Sequence, residues 1–293
     1  MDVSEQYIKP YIGKIKFQKL TTLHCKNWQG DLQRAGFTPN MRKKSMMVFS
    51  VAIHAAIRAE VIQRNPLIGV PRPVVRRRDI NPLTPDQCET LFHECQIHRL
   101  GDVIILAAMT GMRKGEIFGL QWEDINIAES VLALRRNLEE ESGKLRLKEP
   151  KTKQGRRAII LDELATQCLA SRMKKAKDEG FTGETGEIVF CSRNGKHMRS
   201  SNFDRAVWYP IRKRAGIAET VRFHDLRHTQ ATLMLLAGVH PKIVQERLGH
   251  GDISITMNTY SHLLPGLQAD AATKMGAMIP RKNRELKESS EIE

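Results

Sequence analysis

The sequence predicts a mainly α chain in two parts: a small all-helical first domain, and a larger second domain in which a small antiparallel β-sheet is inserted among helices. Three observations predict it. Up to residue 64, apolar residues recur at spacings of three and four. From Asn65 to Pro85 a stretch with five prolines and a triple arginine, NPLIGVPRPVVRRRDINPLTP, interrupts that pattern. Between 131 and 161 the period shortens to strand-like alternation before it lengthens again.

In the first domain Pro39 to Arg64 is the clearest helix, with Met46, Val48, Phe49, Ala52, Ile53, Ala56, Ile57 and Val61 on its apolar face and Arg42, Lys43 and Lys44 at its start. Thr21 to Ala35 is a second, through Leu23, Trp28 and Leu32. Proline removes backbone donors and disfavours helix before it, so Asn65–Pro85 reads as an interdomain linker. Thr84-Pro85-Asp86-Gln87 is a helix start: Thr caps, Pro fits the first position, and Gln three on closes a capping box. Helices are expected at about 85–97, 101–110 and 113–120. VLALRRN (131–137), KLRL (144–147) and RRAIIL (156–161) read as strands, with Ser142-Gly143 as a turn. A helix follows at 162–177. EIVFC, Asn194-Gly195 and KHM read as a short hairpin. Helices resume from Ser201 to Ile279.

Composition narrows the class. At 293 residues with 41% hydrophobic and 27% charged side chains, the chain has a globular balance. Its longest apolar run, Val103 to Met109, is far short of the roughly 20 residues a membrane helix needs. MDVSEQYIKP lacks a basic-then-apolar signal pattern. Five scattered cysteines (Cys25, Cys88, Cys95, Cys168, Cys191) form no CxxC pair, so neither a disulfide frame nor a zinc site is favoured, and a reducing cytoplasm fits. Net charge is +14, unevenly spread: residues 1–80 carry 15 basic against 5 acidic side chains. A small, strongly basic leading part points to a polyanion, nucleic acid first.

Singly, the polar residues prove little. Arg113, between Gly111 and Gly115 in an apolar region, could simply pair with Glu116, three residues on. In HDLRH, Asp225 is a plausible N-cap, and His224 and Arg227 can share one side of a helix start, where two donors suit an oxyanion. The same pentapeptide also suits a solvated basic turn. His250, after Leu248-Gly249, can favour a helix C-terminus. Tyr260 alone reads as a packed aromatic.

The ordered combination says more. TGMRKGEIFGLQWEDI, PKTKQGRR, HDLRHTQATLML and LGHGDISITMNTYSHL, in that order, resemble the tyrosine recombinase (phage integrase) family, and the resemblance covers nearly the whole chain. It implies the tyrosine recombinase fold, with residues 1–78 as a helical core-DNA-binding domain plus basic linker and 79–293 as the catalytic domain, the two forming a clamp on duplex DNA. It implies a site-specific recombinase that cuts and rejoins strands through a 3′-phosphotyrosyl intermediate. By resemblance Tyr260 is the nucleophile, Arg113 and Arg227 clamp the non-bridging phosphate oxygens, His224 assists proton transfer, His250 bonds a phosphate oxygen, and Glu116 orients its neighbours. Lys151 is the general acid for the leaving 5′-oxygen, with Lys153 as competitor. No metal or other cofactor is implied, since the arginines take the electrostatic role that Mg²⁺ has in other phosphoryl transfers.

The implied partners are duplex DNA, three further copies in a homotetramer on two sites, and accessory DNA-bending or directionality proteins, in a bacterial or phage-host cytoplasm. The segment at about 265–279 would dock on a neighbouring copy or on its own domain. Family members carry more sequence ahead of the point matching Met1, so the chain is expected to begin inside the core-binding domain. A DNA-binding regulator without activity and a type IB topoisomerase are the competing readings. A missing member of the catalytic set would favour the regulator, and every position is filled.

The linker yields a first test. Replacing Arg76, Arg77 and Arg78 by Ala removes up to about three phosphate contacts, so binding to any duplex should weaken and its salt dependence should flatten. Fluorescence anisotropy across a salt series measures both, and an unchanged slope would mean that the linker does not lie on the backbone.

Overall fold

The computed structural model describes residues 2–75, 81–141, 143–150, 153–254, 257 and 267–278. The linker arginines 76–78, Ser142, Lys151 and Tyr260 lie outside the described residues. The chain divides into two compact units, residues 1–79 and 80–293.

The first unit is helical: α1 (Val3–Tyr7), α2 (Lys9–Ile12), α3 (Thr22–Arg34) and α4 (Pro39–Arg58). Thr21 and His24 cap α3 reciprocally, and Thr38 caps α4 with Pro39 at its first position. The core gathers around Trp28, which packs edge-on against Phe49 at 5.2 Å and donates its indole N–H to the Tyr7 carbonyl at 2.7 Å. Met46, Phe49 and Ile53 supply the buried face of α4, whereas Val48, Val61 and Leu23 are exposed. The helix also ends sooner than its apolar spacing suggests. Glu60 adopts φ +56, and the Val61 N–H returns to the Ala56 carbonyl, a terminating turn formed here without the usual glycine.

The second unit is built around α6 (Asp102–Thr110), which is apolar on every side and buried from Val103 to Ala108. It packs against α5 (Pro85–Gln96), α8 (Glu163–Asp178) and α11 (Asp225–Leu236). The capping box of α5 forms as its sequence requires, Thr84 with Gln87. Next to α6 lies the short α7 (Lys114–Phe118). The expected strand region makes two ladders, because the chain breaks at Arg135-Arg136. β1 (Ile125–Asn126), β2 (Val131–Leu134) and β5 (Arg157–Ile160) form an antiparallel sheet in the order β1-β2-β5, with Leu132 opposite Ile159. β3 (Asn137–Glu141) and β4 (Lys144–Lys148) pair separately.

The hairpin expected at EIVFC…KHM is not formed by strands. Ser192 to Lys196 makes a tight turn with Gly195 at φ +72, but Ile188 bridges to Gln121 instead, tied by Trp122 N–H to Glu187 O and Val189 N–H to Leu120 O. The apolar run is drawn to the core near Trp122, which offers it more burial than a solvent-facing hairpin would. Beyond it lie α9 (Ser200–Phe203), a π-turn at Asp204–Trp208, α10 (Tyr209–Arg214), α11, α12 (Pro241–Leu248) and α13 (Leu267–Met278). Edge-on aromatic contacts run from Phe118 through Phe203 and Phe223 to Trp208. Among the described residues no helix is long and apolar enough to cross a membrane.

One buried arginine ties the far side together. Arg172, with no exposure at all, donates its Nε–H to Val189 O at 3.0 Å and both Nη groups to Glu179, which Arg99 also grips. Desolvation would raise the Glu179 carboxyl, but these two guanidinium pairs outweigh it and hold it at about 2, below its ordinary 4.5. Because the folded value is depressed, the stabilisation is complete above about pH 4.5 and is lost as pH falls through about 2. Urea denaturation between pH 2 and 6 should therefore show Glu179→Gln less stable than wild type at pH 6, with the gap closing in acid. A gap that stays constant with pH would contradict this account.

Candidate active site

Two glycines shape the site. Gly111 ends α6 and Gly249 ends α12, both at φ +67, a left-handed conformation that side chains rarely adopt. Space demands glycine as well. A Cβ at Gly111 would lie 2.6 Å from Leu248 Cδ2, and one at Gly249 would lie 2.7 Å from Arg157 Nη1 and 2.8 Å from Gln154 O. The two helix ends thus meet backbone against side chain, and their last carbonyls are left without helical partners.

Arginines fill that need. Arg227, 3% exposed on the first turn of α11, donates Nη1–H to Gly111 O and Nη2–H to Leu248 O, each at 2.6 Å. Arg247 donates to Ile160 O at 2.9 Å and Met109 O at 3.1 Å. Arg157, the first residue of β5, donates Nε–H to Arg247 O at 2.7 Å. Guanidinium charge is favourable at helix C-termini, where carbonyl dipoles converge.

Arg113 is the N-cap residue of α7. Its backbone N–H goes to Glu116 Oε2 and its Nη1–H to Glu116 Oε1, both at 2.8 Å, while Nη2 reaches Gly249 O at 3.5 Å. The salt bridge weighed for this pair is therefore present. The Arg113 side chain is still 43% exposed, so it combines the pairing with access to the cleft. Glu116 is buried, and Arg157 meets its other side with both Nη groups at 3.2 Å. Burial would raise its carboxyl pKa, but Arg157 and then Arg113 hold it below the usual carboxylate range.

The histidines face the same cleft. Contrary to expectation, Asp225 is not the N-cap of α11: His224 occupies that place, and Asp225 reaches back to accept the Arg222 N–H at 2.7 Å. A one-residue shift lets the buried carboxylate brace the preceding turn and frees His224 for the cleft. The His224 ring meets His228 edge-on at 5.4 Å. Desolvation, followed by the neighbouring His228, Arg227 and Arg113, lowers His224 to about 4. His250, one residue past Gly249, is also lowered to about 4, by desolvation and then by Arg227, Arg113, His228 and Arg157. Gln245 fixes its backbone at both ends, accepting the His250 N–H at 3.1 Å and donating to its carbonyl at 3.0 Å.

Arg113, His224, Arg227 and His250 thus lie close enough to interact, carried by the starts of α7 and α11 and the end of α12. Both imidazoles are neutral at pH 7 and each can accept or donate one hydrogen bond. A phosphate oxygen entering here would meet two guanidinium groups and would raise both histidines. Lys151 and Tyr260 lie outside the described residues, and Lys153 begins a 3-10 turn just before β5. Arg157 is the residue that reading along the chain passes over. It lies in PKTKQGRR beside exposed Arg156, and only strand alternation, which puts it on the face of buried Ile159, marks it as a cation needing a buried partner. Among the described residues no group of three or more His, Cys, Asp or Glu side chains could hold a metal ion.

Known protein families match most of the chain. The phage integrase family model matches residues 81–266, and the model of the phage integrase N-terminal SAM-like domain matches residues 2–33. The ICEBs1 integrase of Bacillus subtilis is 25% identical over 284 residues, covering 94% of this chain and 76% of that protein. A tyrosine recombinase XerC-like protein of Caldanaerobacter subterraneus is 28% identical over 217 residues, covering 69% of this chain but 55% of its own length. The Tn1549 transposon integrase, solved in complex with a circular intermediate DNA, shares the fold at a TM-score of 0.74 and 24% identity, over 90% of this chain and 87% of that one. With its larger unit matched almost throughout, the chain belongs to the phage integrase family.

Proposed function

We propose a division of labour for the site-specific DNA recombinase that this chain is. The observation that carries it is the proximity of Arg113, Arg227, His224 and His250 to one another, with the two arginines braced by carbonyls and by Glu116. That set suits a phosphodiester whose charge grows as phosphorus becomes five-coordinate.

In this reading the Tyr260 oxygen attacks phosphorus and the 5′-oxygen of the next nucleotide leaves with a proton from Lys151. A 3′-phosphotyrosyl bond replaces the phosphodiester bond, so the energy of the link is conserved. Attack by a 5′-hydroxyl of another strand reverses the step and returns the tyrosine. Arg113 and Arg227 hold the non-bridging oxygens, and fork-shaped guanidinium groups do so better than lysines. Tyrosine has an ordinary pKa of about 10, so it needs a base, and neutral His224 can take the phenolic proton. His250 donates to a phosphate oxygen.

Exchange between two duplexes cuts four strands with one tyrosine each, which calls for four protomers. The exposed Met275 and Met278 of α13 suit a contact between them. The basic first unit, residues 1–79, grips the duplex beside the cut, and accessory bending or directionality proteins set its course. Cytoplasm, where the DNA is, is the expected setting.

The test is Tyr260→Phe on a nicked duplex carrying the target site. The variant should bind DNA as wild type does, change in stability by at most about 1 kcal/mol, and give no covalent protein–DNA band on a denaturing gel. A covalent band from the variant would place the nucleophile elsewhere.

A further inference from the structure

We propose that Arg157 is a positioning residue for strand cleavage: by sharing the buried Glu116 carboxylate it keeps the Arg113 guanidinium free to face the phosphate. The inference deepens the functional reading above and rests on it.

Glu116 is 4% exposed, and each of its oxygens takes two donors. Oε1 takes Nη1 of Arg113 and Nη1 of Arg157; Oε2 takes the Arg113 backbone N–H and Nη2 of Arg157. Arg113 therefore gives its side chain to Glu116 through one nitrogen only. Its second contact, to Gly249 O, is long at 3.5 Å, and the side chain is 43% exposed to the cleft.

Removing the Arg157 guanidinium would strip two donors from a buried anion. Such a group does not stay half-satisfied, because its desolvation cost is large. The donor within reach is the rest of the Arg113 fork, three residues away on the same short helix. A bidentate Arg–carboxylate pair is strong and directional, so Arg113 would turn both Nη groups inward. The fork that should meet the phosphate would then be consumed, although Arg113 itself is unchanged.

Arg157 has a second tie. Its Nε–H bonds to Arg247 O at 2.7 Å, and its guanidinium lies where any side chain at Gly249 would have to sit. Its side chain is 8% exposed. It thus couples β5 to the end of α12, just before His250. Lysine, a single point charge on a flexible stem, could not bond both partners in this geometry.

The two ties make different demands, which a double substitution separates. The measurement is the single-turnover rate of covalent adduct formation on a nicked target duplex, for wild type, Arg157→Met and Arg157→Met with Glu116→Gln. Circular dichroism and DNA affinity are recorded for each. Arg157→Met should slow adduct formation by on the order of 10²–10³-fold, the effect of one lost oxyanion donor, with affinity within a few-fold of wild type. Adding Glu116→Gln removes the charge that captures Arg113, so the rate should recover at least about tenfold.

An Arg157→Met rate equal to wild type overturns the proposal. So does a slow rate that Glu116→Gln fails to raise, which would assign Arg157 to the fold alone. If Arg157→Met does not fold, Arg157→Lys with and without Glu116→Gln is read by the same criterion. Absence of any adduct from wild type would count against the functional reading rather than against the role of Arg157.

Discussion

The second unit depends on one buried anion. Glu116 is surrounded by four donors from two arginines, and each arginine reaches a different part of the structure. Through Arg113 it caps α7; through Arg157 it holds β5; and through the Arg157 Nε–H it reaches the end of α12. A carboxylate so far from water is tolerable only when every acceptor position is filled, so its presence fixes the relative placement of all three elements. Arg227 and Arg247 extend the same logic, each bridging two carbonyls from separate elements. The cleft is therefore walled by charge–dipole contacts whose geometry leaves little freedom.

That construction gives the resting site an excess of positive charge. Arg113 and Arg157 flank Glu116 and Arg227 bridges the ends of α6 and α12, and desolvation together with these cations keeps the two histidines of the site unprotonated. An anion entering the cleft relieves that excess and lets the imidazoles take up protons. Binding and proton uptake are thus linked: the ligand itself adjusts the acid–base state of the residues that receive it.

Much of this was legible in the sequence, where local rules apply. The Thr84–Gln87 capping box, the glycine stop at Gly249 and the apolar character of α6 are short-range signals, and each appears as read. The ordered motifs likewise bring Arg113, His224, Arg227 and His250 to one place. What the sequence hid depends on distant partners. Arg157 looks like one more basic residue until Glu116, 41 positions away, arrives beside it. Ile188 leaves its expected hairpin because Gln121, far along the chain, competes for its backbone. The N-cap of α11 moved by one residue because the Asp225 side chain found a donor behind it rather than ahead.

The all-apolar α6 has a consequence for synthesis on the ribosome. The buried core of the first unit is complete by Val70, so that unit can close while most of the chain is still unmade. Helix α6 emerges soon after, but α8 and α11, which cover it, end only at Asp178 and Leu236. At translation speeds of about 5–20 residues per second, that greasy surface waits on the order of 10 s for its cover. During this interval the nascent chain exposes an apolar helix that follows a first unit whose core is already complete. The arginine-braced site cannot assemble until α12 has been released, so it is among the last parts of the second unit to form.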